Sequence, residues 1–189
     1  MDTTSWSYSP HWGTFWGQFT IELTGGILGS FTFLFVVLIF LKPKVKIADF
    51  LCKIIPSQGE PYYIFKLVNR SFFDAHDLTI ELHSIRRIPM GNGYINNEYS
   101  KLTLLNGHIS QVPARPFFWR NNKANPHCII VHSTENLNKI LSNELHGIML
   151  RVSLKHGLTG LSNVFEQEYA NETEIKSGKF KPGSKFGVV

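Results

Sequence analysis

The sequence predicts a mainly β protein behind one N-terminal transmembrane helix, and three observations carry that expectation. Residues 23–41 contain no charge. Ile148, Leu150, Val152 and Leu154 alternate with Met149, Arg151 and Ser153. Glycine-bearing turn segments separate such alternating runs along the C-terminal three quarters of the chain. Of the 189 residues 43% are hydrophobic and 17% charged, a balance that suits one folded core and excludes disorder or a bundle of many membrane spans.

The charge is divided along the chain. No Lys or Arg precedes Lys42, and Asp2 and Glu22 are the only acids before it, so residues 1–41 carry −2 and the rest +7. The uncharged run at 23–41 has 19 residues, close to the roughly 20 that cross a hydrocarbon core as a helix. A cleaved signal peptide would need a basic start and a small-residue cleavage site. Here Trp6, Trp12, Phe15, Trp16 and Phe19 come before the run and Lys42-Pro43-Lys44 after it. Aromatic residues suit the outer interface, and Lys42, Lys44, Lys46 and Lys53 set the orientation by the positive-inside rule. The expected organisation is an extracytoplasmic or interfacial segment at 1–22, a membrane helix at 23–41, a basic juxtamembrane linker at 42–60, a cytoplasmic β-sandwich at 61–180 and a flexible tail at 181–189. The expected location is the cell membrane, single-pass, with the N-terminus outside.

Within the helix Gly25 and Gly29, and likewise Gly26 and Ser30, are four residues apart. Such small-residue pairs line one stripe along which helix backbones approach closely, so these four residues are the expected helix-packing contacts of a homo-oligomer. The four lysines after the helix would meet the anionic inner leaflet, where each contributes on the order of 1 kcal/mol. Lys42, Lys44, Lys46 and Lys53 are the expected lipid-binding residues.

Period-two alternation places the strands. Leu78, Ile80 and Leu82 alternate with Thr79, Glu81 and His83, and residues 62–68 are apolar on both faces, as in a central strand. Further strands are expected at 101–105, 117–120, 127–132, 161–169 and 175–180. Pro89-Met90-Gly91-Asn92-Gly93 and Lys155-His156-Gly157-Leu158-Thr159-Gly160 read as hairpin loops. Ser133-Thr134-Glu135-Asn136 could cap a short helix carrying Leu137, Ile140 and Leu141. Seven or eight strands in about 140 residues predict an antiparallel β-sandwich of immunoglobulin-like architecture.

Residue chemistry points away from catalysis. There is no Gly-x-Ser-x-Gly, no His-Glu-x-x-His and no Gly-x-x-x-x-Gly-Lys. His127, Cys128 and His132 form the densest group of metal-ligating types, but on a strand His127 and Cys128 point to opposite faces, and Cys128 and His132 lie about 13 Å apart. No metal and no cofactor are expected. Cys52 and Cys128 are the only cysteines and should be reduced thiols on the cytoplasmic side. The Asn-x-Ser/Thr matches at Asn69 and Asn171 are then chance. Basic residues are scattered, with Arg86-Arg87 the one adjacent pair, so a nucleic-acid partner is not expected.

The order of features resembles a known family. A glycine-bearing apolar helix runs into Lys42-Pro43-Lys44-Val45-Lys46, then Tyr63-Ile64-Phe65-Lys66-Leu67-Val68-Asn69-Arg70 and Asp74-Ala75-His76-Asp77-Leu78. Later come His127 to Leu137, Ile148 to Ser153, Glu166-Gln167-Glu168-Tyr169, Glu172-Thr173-Glu174-Ile175 and Gly178-Lys179-Phe180. This succession resembles the inner helix and cytoplasmic domain of inward-rectifier potassium channels. The resemblance implies a tetramer under the membrane, a basic segment (Lys42 and Lys44 by position) on anionic headgroups, and a small-molecule or protein regulator. No pore helix and no selectivity filter are expected here: no Thr-x-Gly-Tyr-Gly occurs, and 22 residues before Leu23 would not hold both an outer and a pore helix. The expected function is ligand, lipid or partner sensing by an oligomer that gates or forms a pore. An accessory subunit of a separate channel or transporter is the alternative.

Overall fold

Twenty-nine consecutive residues, Trp12–Phe40, form the first helix, α1. The structure, a computed structural model, describes residues 12–40, 44–115, 125–157 and 160–189. Lys42 and the strand expected at 117–120 lie outside these. The chain divides into two compact units that meet in sequence at Phe40 and Leu41.

α1 begins well before residue 23 and contains a stretch, Thr14–Val37, long and apolar enough to cross a membrane. Its side-chain hydroxyls are satisfied within the helix: Thr20, Thr24, Ser30 and Thr32 donate to the carbonyls of Trp16, Thr20, Gly26 and Leu28 at 2.6–2.9 Å. That internal pairing is what a helix in hydrocarbon requires of its polar groups. The earlier start follows from residues 14–22, where aromatic and threonine side chains continue the helix and only Glu22 carries charge.

The second unit is mainly β. Strands β1 (Val45–Ile47), β2 (Leu51–Ile54) and β3 (Tyr62–Asn69) are followed by the long hairpin β4 (Ala75–Gly91) and β5 (Tyr94–Leu102), then β6 (His108–Val112) and β7 (Cys128–Ser133). A short helix α2 (Leu137–Leu141) leads to β8 (His146–His156), β9 (Ser162–Tyr169), a 3-10 turn at Glu172–Glu174 and β10 (Ile175–Ser177). The first sheet joins β1, β2, β3, β7 and β10, and the second joins β4, β5, β6, β8 and β9. All pairs are antiparallel except β10 with β2, which run parallel.

One core lies between the two sheets. Tyr63, Phe65 and Leu67 of β3 and Val131 of β7 face Leu78, Ile80 and Leu82 of β4 and Leu150, Val152 and Leu154 of β8. The alternation expected at 148–154 and 78–82 is the buried face, and residues 63–69 are buried on both sides. Asn136 accepts from the Lys139 amide and caps α2. Gly91 and Gly93, both at positive φ with Asn92 between them, turn the β4–β5 hairpin.

Three expectations need correction. The linker at 42–60 holds β1 and β2, because Ile47, Ala48, Leu51 and Cys52 are buried and both strands pair with β3. The strand expected at 101–105 lies mostly earlier, in β5, since β4 runs on through Arg86 and Arg87 and its partner must match its length. The tail at 181–189 is docked: residues 179–181 pair with 187–189 through Val189 N–H to Lys179 O (2.8 Å) and Lys181 N–H to Gly187 O (2.7 Å). This C-terminal hairpin covers the outer face of the first sheet, where Phe180, Phe186 and Val188 pack on Ala48, Cys52 and Ile64. Gly178 turns the chain into it at φ +119°, so close that a Cβ would stand 2.7 Å from Val188.

Candidate functional site

Strand parity sorts the lysines expected to bind lipid. Lys46 lies opposite Val68 and shares the outer face of the first sheet with Ile64 and Lys66, whereas Lys53 lies opposite Tyr63, whose side chain belongs to the core face. The structure therefore places Lys46 and Lys53 on opposite faces, a separation that residue spacing alone does not reveal. Lys44 is exposed and continues the β1 ladder, its carbonyl accepting from the Arg70 amide at 2.7 Å.

The outer face is a cation and aromatic surface. Lys46 Nζ stands 5.4 Å from the Phe186 ring centre and Lys176 Nζ 4.0 Å from that of Phe50. Phe50 in turn stacks on Phe180 at 5.2 Å. Ammonium groups over aromatic faces are held by the ring quadrupole. The lysines of the C-terminal hairpin, Lys179, Lys181 and Lys185, belong to the same layer.

Lys66 sits at the centre, 1% exposed. Its ammonium donates to the carbonyls of Lys181 (2.5 Å) and Lys185 (2.9 Å) and lies 5.8 and 5.9 Å from the Phe180 and Phe186 rings. Burial holds its pKa below the usual lysine value, with Cys128 and Cys52 acting the other way. The carbonyls compensate a buried charge that would otherwise be strongly unfavourable. Beside it His127, 4% exposed, bonds Ser184 Oγ through Nε2 at 2.7 Å. Burial first, then Arg115 and Lys66, push the His127 pKa down.

Neither thiol is activated. Burial pushes Cys52 up to about 11 against the pull of Lys176 and Lys66, and Cys128 is raised for the same reason. A thiol protonated at neutral pH is a poor nucleophile. Among the described residues no three His, Cys, Asp or Glu side chains are placed to hold a metal. Asn69 is 1% exposed, with its side-chain amide donating to the carbonyls of Phe73, Val112 and Pro113 at 3.1–3.3 Å, so it is closed to a glycan in the folded domain.

On α1, Gly25, Gly26 and Gly29 have open space around the position of a Cβ. Gly26 and Ser30 line a shallow groove together with Glu22, Leu23, Ile27 and Phe31.

Sequence reasoning missed Lys66, Lys176, Ser184 and the two phenylalanines of the C-terminal hairpin, and weighed His127 only as a metal ligand. Lys66 left a signal, since it is the one charged residue in the doubly apolar run at 62–68. Phe180 and Phe186 were hidden in a Gly- and Lys-rich context. No protein-family model matches the chain, and no curated protein does.

Proposed function

We propose that this is a single-pass, oligomeric membrane protein in which a cytoplasmic β-sandwich of immunoglobulin-like, inward-rectifier-like architecture senses anionic lipid and gates a pore lined by the assembled helices. α1 crosses the cell membrane with its N-terminus outside. Lys42, Lys44 and Lys46 engage headgroups of the inner leaflet, and Gly25, Gly26, Gly29 and Ser30 form the helix contacts. The observation that carries this reading is the pairing of an apolar 29-residue helix with a separate β unit whose first strand bears Lys46 and is preceded directly by the exposed Lys44. Lysines just past a membrane helix are drawn to anionic lipid, and small residues on an otherwise bulky helix favour close association.

A second reading has its own support. The β4–β5 hairpin exposes Met90 (65%), Tyr94 (74%) and Ile95 (63%), and among the described residues β5 stands at the edge of its sheet. An accessory subunit would dock on a separate channel or transporter through such an edge.

Ion flux through liposomes holding the purified full chain separates the two. The pore reading predicts flux in vesicles containing anionic lipid, little in neutral vesicles, and loss of the lipid dependence when Lys42, Lys44 and Lys46 are all changed to Gln. Absence of flux in both lipids would overturn the pore and leave the accessory role.

A further inference from the structure

We propose that the C-terminal hairpin, residues 179–189, is a proton-released cover that stays closed over the outer face of the first sheet while His127 is neutral and opens when His127 is charged. The inference rests on how the cover is held and is independent of the membrane reading. Among the described residues its polar attachments to the sheet include Lys66 Nζ to the carbonyls of Lys181 and Lys185, His127 Nε2 to Ser184 Oγ, and the Cys128 thiol to Ser184. The amide of Gly178 to Lys53 O, at 3.2 Å, marks the hinge.

A neutral imidazole suits this place. Its Nε2 is partnered by Ser184, and its Nδ1 is buried with no hydrogen-bond partner among the described residues. A second proton would make Nδ1 a buried charged donor facing no acceptor, which is costly. The charged and titratable groups around the ring make it worse. Lys66 comes from β3, Arg115 from the segment after β6 and Cys128 from the start of β7, which His127 directly precedes, while Lys185 follows Ser184 in the cover; the two that act on the ring electrostatically, Arg115 and Lys66, are cations. Protonation therefore sets three positive groups against one another at the seat of the cover. Opening relieves them, since it lets water reach both the imidazolium and the Lys66 ammonium. The face uncovered holds Ala48, Cys52 and Ile64, all buried in the closed form.

The sign follows from linkage. The His127 pKa is lower closed than open, so protons favour the open form, and closure weakens by up to about tenfold per pH unit below ~6.5 until the closed form also titrates. Hydrogen exchange of the full chain in detergent at about pH 7.5 and about pH 5.5, corrected for intrinsic rates, reads this directly. The Lys181 and Val189 amides should lose severalfold more protection at the lower pH than the Val152 amide of β8 does. His127→Gln should abolish the difference. Equal loss in wild type and His127→Gln, or no loss in wild type, would overturn the proposal. If His127→Gln does not fold, Cys52 labelling in a Cys128→Ser chain by a disulfide reagent active in acid decides: faster labelling at the lower pH supports the cover, and an unchanged or slower rate refutes it.

Discussion

Removing one oxygen from Tyr169 tests how the two sheets are held together. Tyr169 ends β9 in the second sheet, is fully buried, and donates its hydroxyl to the Ala48 carbonyl at 2.8 Å in the bend between β1 and β2 of the first. Ala48 N–H in turn donates to Lys66 O at 2.9 Å. Burial raises the phenol pKa far above its usual value, which keeps the hydroxyl a donor. Tyr169→Phe keeps the ring and its tilted contact with Phe65 at 5.7 Å. What is lost is the hydrogen bond, leaving the Ala48 carbonyl buried without that partner, a cost of about 1–3 kcal/mol. For a β unit of this size each kcal/mol moves the melting point by roughly 3 °C, so thermal unfolding followed by circular dichroism in the β band should shift down by about 3–10 °C. Tyr94→Phe, at a side chain 74% exposed, should change stability by less than about 0.5 kcal/mol. Equal, small shifts in both variants would refute the reasoning, because the inter-sheet bond would then contribute nothing.

Two further outcomes are expected. Gly25→Leu with Gly29→Leu should turn an oligomer into a monomer in detergent, read by light scattering; at neither site does a new Cβ come within 4 Å of a described atom beyond the neighbouring helix backbone, so unchanged assembly would assign the contacts to the β unit. Burial holds the pKa of both His127 and His156 below the ordinary imidazole value, so their contribution to stability is present above pH ~6.5 and falls away as pH drops below it; a melting point at about pH 5.5 equal to that at about pH 7.5 would contradict this.

Much of the β unit was legible because its strands alternate cleanly. In β4 from Leu78 to Leu82 and in β8 from Ile148 to Leu154 every second residue is aliphatic, and those residues are buried. β1 and β2 were illegible for a physical reason: Ala48, Asp49 and Phe50 bend the chain between two short strands, so no period builds up, although both strands pair with β3. The outer half of the β4–β5 hairpin has no buried face to imprint alternation, and nearly all of β5 is exposed. The C-terminal hairpin was concealed by composition. Gly, Lys and Ser suggested fraying, yet two phenylalanines and a buried lysine beneath them are enough to dock it. The candidate lipid residues were found as a cluster in sequence, but only their strand parity distinguishes Lys46 from Lys53.

Topology tests the central claim most directly, because lipid sensing at the inner leaflet requires the β unit to be cytoplasmic. Lys42, Lys44 and Lys46 follow the helix, and no Lys or Arg precedes it. With epitope tags ahead of Asp2 and after Val189, protease added to intact cells should remove the first and spare the second until the membrane is permeabilised. Cleavage of the C-terminal tag in intact cells, with protection of the N-terminal one, would contradict the account.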